Sequence, residues 1–294
     1  MANLKDIRTR IETVNSTKQI TSAMKLVSAA KLRRAQEAIT QMRPYADKLS
    51  QILENLMRGL TDDEENVYGA VREEKRVLLV LITSNRGLAG GFNSAVTRMA
   101  EQLLKTEYAE QLKNRNLYFV AIGKKACDFL RTRELKMISS HNDLYDDLTF
   151  DNVEPVVAEI MQKFAGKRFD KVELIYNQFK NAAVQILTRE PFLPVSLETK
   201  AAEDDHHETE FILEPSKEYI VEELIPKSLK IQFYKALLDS HAAEHGARMT
   251  AMHKATDNAT DMVKDLKLTY NKARQASITN EILEIVGGAE ALNK

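Results

Sequence analysis

The stretch Ser84-Asn85-Arg86-Gly87-Leu88-Ala89-Gly90-Gly91-Phe92-Asn93 is where this chain could hold a phosphate. It follows an apolar run and opens a helical pattern, so backbone N–H groups at the helix start could face an anion. It lacks the Lys-Ser/Thr that completes a P-loop, and its glycines are not spaced G-x-G-x-x-G. The competing reading is a tight turn that packs a helix against a strand. Two groupings could ligate a metal. Asp204, Asp205, His206, His207 and Glu208 are adjacent in sequence, and neighbouring side chains do not easily converge on one ion, so a solvated acidic loop is expected. His241 and His245 have the i, i+4 spacing of a helical chelate, but no third ligand follows in the usual position. His241 also falls on an apolar stripe, so packing is expected there. No Ser/His/Asp or Cys/His set stands out, and no cofactor is expected.

The elements that carry these residues fall into three blocks. Residues 3–58 predict one helix. Leu4, Ile7, Ile11 and Val14 recur at helical spacing, followed by a weak stretch at Thr21, Met24, Ser28 and Lys31. Ala35, Ala38, Met42, Tyr45, Leu49, Ile52 and Leu56 resume the stripe, a 3–4 alternation characteristic of a coiled-coil seam. Pro44 predicts a kink. Residues 216–292 form a second such block, with Met252, Thr256, Ala259, Val263, Leu266, Tyr270 and Ala273 on one face and Leu224, Leu237, Leu238 and His241 upstream.

Neither helix can bury its stripe alone, so an antiparallel pair is expected. At 1.5 Å per residue the helices reach about 85 and 115 Å, which leaves roughly 20 residues of the second unpaired. That tip carries Ile278, Ile282, Leu283, Ile285, Val286, Ala289 and Leu292 on more than one face and needs an apolar sleeve from elsewhere.

The middle block alternates strand and helix patterns. Strands are expected at Val77–Thr83, Leu117–Ile122, Leu135–Ser139, Val172–Asn177 and Val184–Thr188, with helices at Ser94–Leu104, Lys124–Arg131 and Asn152–Phe164. Such alternation predicts a Rossmann-like, mostly parallel sheet with one antiparallel edge. The fold class expected is therefore an α+β composite: a long antiparallel two-helix coiled coil plus a central α/β domain. The expected divisions are residues 1–60, 75–198, an acidic linker at 199–215, and 216–294.

Composition narrows the function. The 294 residues include 10 Gly, 6 Pro and no Trp, which favours long helices over a loop-rich fold. The formal net charge is -1, so no global field draws the chain to nucleic acid or anionic lipid. Residues 1–60 carry 11 Lys/Arg against 5 Asp/Glu, including Lys25, Lys31, Arg33 and Arg34, but without aromatic interleaving no nucleic-acid partner is expected. Cys127 is the single cysteine, which rules out an intrachain disulfide and suggests a reducing compartment. The longest apolar run, Val77–Ile82, is far too short to span a bilayer. No signal-peptide apolar region is seen near the first residues, and membrane association only through other proteins is expected.

Several strings resemble the gamma subunit of F-type ATP synthases. They are Ile7-Arg8-Thr9-Arg10-Ile11, Thr17–Val27, Arg43-Pro44-Tyr45-Ala46, the stretch 83–93, Ala247-Arg248-Met249, Ala255–Ala259, Tyr270–Ile282 and Glu284–Ala289. The resemblance covers the whole chain. It implies a non-catalytic rotor shaft that couples ring rotation to ATP chemistry at sites on other subunits. Its implied partners are alpha and beta subunits around the shaft, with the epsilon subunit and the c-ring at its foot. The implied location is the cytoplasmic face of a bacterial inner membrane.

Position by position, the resemblance assigns beta-subunit contacts to Met24, Arg248, Arg274, Gln275, Thr279 and Glu281, and a bearing tip to Ile278, Ile282, Ile285 and Val286. The foot would include Arg43, Pro44, Tyr45, Leu213 and Glu214. Two other readings rest on the residues alone: a nucleotide-binding α/β enzyme using the Gly87–Gly91 turn, and a coiled-coil scaffold or nucleic-acid adaptor.

Overall fold

The computed structural model describes residues 4–58, 67–70, 72–195 and 217–292. Two long helices, α1 (Leu4–Arg58) and α6 (Lys217–Leu292), flank an α/β region. In order, that region is β1 (Val77–Ile82), α2 (Phe92–Lys105), α3 (Ala109–Lys113), β2 (Leu117–Ile122), α4 (Lys124–Thr132) and β3 (Met137–His141). A 3-10 turn (Asp143–Tyr145), α5 (Phe150–Ala165), β4 (Lys171–Phe179) and β5 (Gln185–Leu193) complete it. The chain divides into two compact units, residues 1–29 with 248–294 and residues 30–247, and both long helices contribute to each.

In the unit of residues 30–247 the five strands lie in the order β3-β2-β1-β4-β5. β1 pairs in parallel with β2 and β4, β2 in parallel with β3, and β4 antiparallel with β5. This is the expected parallel sheet with one antiparallel edge. β1 is central and buried at every position, because both of its faces are covered. On one face Leu78, Val80 and Ile82 pack with Val157, Ile160 and Phe164 of α5 and with Phe233 and Leu237 of α6. On the other, Leu79 and Leu81 meet Val96 and Ala100 of α2 and Ala126 and Leu130 of α4.

An ionic clamp closes the antiparallel edge. Arg189 on β5 donates to both oxygens of Glu107 at 2.5 Å, to Glu173 on β4 at 2.6 and 2.8 Å, and to the Tyr108 hydroxyl at 2.8 Å. The Glu173 side chain is 4% exposed, so this is a buried carboxylate neutralised in place. Just before β4, Asp170 takes a bidentate bond from Arg76.

In the unit of residues 1–29 and 248–294 the two helices run antiparallel. Thr21 receives a 2.9 Å bond from the Thr256 hydroxyl, and one turn further along α1 Lys25 meets His253 at 3.3 Å, so numbers rise on one helix as they fall on the other. Ile7, Thr21 and Ser28 are buried on α1, and Met252, Ala259 and Val263 on α6, following the expected stripes.

Farther along α1 the seam departs from expectation. Leu32, Ile39 and Ala46 are buried, whereas Lys31 and Tyr45 are exposed and Ala38 is only half-buried. Both long helices continue through their prolines, Pro44 in α1 and Pro226 in α6. The strand expected at Leu135–Ser139 begins instead at Met137, because Glu134 takes a left-handed turn (φ 52) that delays the extended backbone. β5 runs five residues past the expected Thr188, through Pro191, which an edge strand tolerates.

Candidate functional site

The glycine-rich turn is closed on itself. The Ser84 N–H donates to Asn93 Oδ1 at 2.9 Å, and Asn93 Nδ2 donates back to Ser84 Oγ at 2.9 Å. Ser84 Oγ donates to the Arg86 carbonyl at 2.6 Å. Asn85 reaches across the sheet end, accepting from the Lys124 N–H at 3.0 Å and donating to the Asn142 carbonyl at 2.6 Å. The start of α4 is occupied in the same way, since Thr83 Oγ1 accepts from the Ala126 N–H at 2.8 Å and the Ser84 carbonyl from the Lys125 N–H at 3.1 Å. These bonds use the side chains of Ser84, Asn85 and Asn93 to tie three loops together. Gly123 completes the knot: at φ +90 its added Cβ would lie 2.3 Å from the Thr83 carbonyl oxygen.

α6 docks beside this turn through small residues. Ala243 packs with Ala89 and Phe92, with Phe179 and Ala247 alongside. A Cβ on Gly246 would come within 3.2 Å of the Ala182 backbone in the β4–β5 hairpin. Glycine inside a helix costs about 1 kcal/mol relative to alanine, so its presence here marks a close approach.

His241 and His245 also come together, their Nε2 atoms 3.0 Å apart. No group of three or more metal-capable side chains occurs among the described residues. Residues 204–208 lie outside those residues. A hydroxyl–imidazole contact joins Ser139 Oγ and His141 Nε2 at 3.1 Å, and burial lowers the His141 pKa. The neighbouring Glu159 carboxylate is taken by Lys163.

Apolar surface is the other feature of note. On α6, Ile278, Ile282, Leu283, Ile285 and Val286 are all exposed, Ile285 to 71%. On α1, outside the seam, Ile20, Leu26 and Val27 are exposed as well. The sequence reading placed the first group but not the second, whose signal was apolar residues standing off the stripe. Between and beside the tip residues stand exposed polar ones: Arg274, Gln275, Thr279 and Glu281. Thr279 donates to the Gln275 carbonyl, and Ser277 to Glu281. Met24 is half-buried, and Arg248 is buried at 7% exposure.

Of the foot residues, Pro44 and Tyr45 are exposed, with Lys227 set over the Tyr45 ring. Arg43 lies within α1, and Leu213 and Glu214 fall outside the described residues. Among the described residues no helix is long and apolar enough to cross a membrane.

A family model described as ATP synthase matches residues 3–292, taking in both long helices and the α/β region, and this sets the class. An ATP synthase gamma chain from Christiangramia forsetii is 55% identical over 293 residues, with all of both chains covered. One from Flavobacterium johnsoniae is 56% identical, again over the full length of each. The chain belongs to the ATP synthase gamma-chain family. The fold agrees. A central stalk/c-ring structure of the Tetrahymena thermophila mitochondrial ATP synthase contains a chain that is 26% identical with a TM-score of 0.59, covering 80% of this chain and 99% of that one. A chain of the Euglena gracilis mitochondrial enzyme shares the fold at a TM-score of 0.70 and 23% identity, covering 98% and 94%.

Proposed function

We propose that this gamma chain is the rotor shaft of its ATP synthase, turning inside a ring of alpha and beta subunits and doing no bond chemistry itself. The observation that carries the reading is the apolar end of α6, where Ile278, Ile282, Leu283, Ile285 and Val286 are 45–71% exposed among the described residues. An aqueous helix end of that kind needs a partner surface, and a ring of catalytic subunits supplies a sleeve. The polar residues Arg274, Gln275, Thr279 and Glu281 meet beta subunits through charge-assisted bonds, and Met24 with the exposed Ile20, Leu26 and Val27 extends that contact along α1. Arg248 is the contact residue that its buried position suits least.

At the foot, Arg43, Pro44 and Tyr45, together with Leu213 and Glu214, face the epsilon subunit and the c-ring. The chain holds to the cytoplasmic face of a bacterial membrane through those partners. Coupling follows from asymmetry. One shaft touches three chemically identical sites differently, so each orientation favours a different site conformation by its difference in contact free energy. Ion-driven rotation then changes the affinity for ADP, phosphate and ATP in turn.

The test is ATP hydrolysis by matching alpha and beta subunits with and without this chain, followed by ATP-driven ion pumping with residues 278–294 removed. A stable complex with one copy per three beta subunits and raised turnover is expected, with pumping lost faster than hydrolysis after truncation. No association, or full pumping after truncation, overturns the reading.

A further inference from the structure

The pair His241 and His245 has a property that its packing role does not require. With Nε2 atoms 3.0 Å apart, the rings meet at 80° with centroids 4.5 Å apart, so one nitrogen points at the other rather than stacking. At that distance one Nε2 must carry a proton and the other must present its lone pair. The two rings have four nitrogen proton sites, of which at most three can be filled while the contact lasts. Filling the fourth sets N–H against N–H between two imidazolium charges on adjacent helical turns. The surroundings make this consequential. His241 lies against Tyr145 of the 3-10 turn, with ring centroids 5.7 Å apart and planes 20° from parallel, and His245 is 5% exposed.

Charged and titratable groups lie near the pair on two elements. On α6, Asp239 (2% exposed) and Glu244 (7%) are buried in the same stretch. From the 3-10 turn comes the Tyr145 phenol, held neutral because burial, and then the nearby Glu244 carboxylate, push its pKa far up. Ala182 of the hairpin and Ala89 and Phe92 of the turn also pack on this stretch, and Arg248, 7% exposed, follows three residues after His245 on α6.

We propose that His241 and His245 form a proton-sharing latch in which His245 fixes the His241 ring in its stack on Tyr145 of the turn at 143–145, and that the latch opens when acid loads a second proton onto the pair. The linkage has a definite sign. The latched form binds one proton fewer than two separate imidazoles can, so latching is favoured above the ordinary imidazole range and lost as pH falls through it. Each unit by which the second protonation is displaced corresponds to about tenfold in the latch equilibrium.

Hydrogen–deuterium exchange by mass spectrometry on the full chain in its assembled complex reads both halves. Exchange at the imidazole C2–H carbons gives the titration, and amide exchange over 239–247, corrected for its intrinsic pH dependence, gives the latch. The expected result is two separated titration steps for the pair and about tenfold or more faster amide exchange at pH 5.5 than at 7.5. In His245→Gln, whose side-chain amide can still donate to His241, a single step and flat amide exchange are expected. Two independent, ordinary titrations overturn the proposal, as does an amide response that survives in His245→Gln. Chelator-reversible zinc protection of both rings at submicromolar metal also overturns it, because the pair would then serve an ion rather than a proton.

Discussion

One helix, α6, lives in two environments. Between Ile225 and Gly246 it is closed in by its own chain, with Phe233, Leu237 and Ala242 fully buried and even Asp239 and Ser240 out of solvent. Between Ile278 and Val286 side chains of the same kind stand in water, Leu283 at 64% and Ile285 at 71% exposure. The two stretches have similar apolar character, so composition does not decide burial. What decides it is whether a sheet face is present to receive the helix. The first stretch is a structural member of a domain, and the second is surface set aside for another molecule.

Substitutions can break that contrast. Phe233→Ala should cost most, about 3–5 kcal/mol in chemical denaturation, because a fully buried ring leaves a cavity in a close-packed core. Arg189→Met should follow at about 2 kcal/mol, since it removes the charge-assisted bonds to the buried Glu173 carboxylate and leaves it only Lys171 at 3.4 Å. The same variant should change the acid limb of stability. A bond from Arg189 chiefly holds the Glu107 carboxyl below its ordinary range, so the clamp stabilises above that range and is lost as pH falls through the lowered value. A wild-type profile no steeper below pH 5 than that of Arg189→Met would count against the clamp. Gly246→Val should cost about 1–3 kcal/mol by overpacking against the Ala182 backbone, read as a lower denaturation midpoint.

At the far end of the scale, Ile285→Ser should change the stability of the chain by less than about 0.5 kcal/mol while weakening its seating in the complex. A loss above about 1 kcal/mol in the free chain would mean that the tip is covered from within, and the contrast would fail.

The sheet was legible because β1 is an unbroken apolar run and the strand–helix alternation is regular. The bare tip was legible because apolar residues recur on faces that no seam could cover. The seam of α1 was half legible. A seven-residue repeat anchored at Ser28, Ala35, Met42 and Leu49 leaves the intervening position open to a spacing of three or four. Lys31, Ala38 and Tyr45 satisfy one choice and Leu32, Ile39 and Ala46 the other. The second wins because Leu32 and Ile39 bring more apolar area than Lys31 and Ala38.

The end of β5 was hidden by Arg189-Glu190-Pro191, which reads as a loop until the long-range partners are known. Those partners are Glu107 and Glu173 for Arg189, and Tyr176 and Gln232 for Glu190. The bracing of the glycine-rich turn was also out of reach, because the Asn85 side chain finds its partners as far away as Lys124 and Asn142.

The antiparallel pairing in the unit of residues 1–29 and 248–294 bears on how the chain is made. Thr21 and Thr256 touch across 235 positions, and Lys25 and His253 across 228. At about 5–20 residues per second on the ribosome, the start of α1 emerges roughly ten to fifty seconds before its partner exists. The α/β region can fold in that interval, while the apolar stripe of α1 must wait with nothing of its own chain to cover it. This gives α1 the longest exposure to chaperones and to misassembly of any element in the chain, so slowed translation across 194–250 should raise aggregation through residues 4–28 first.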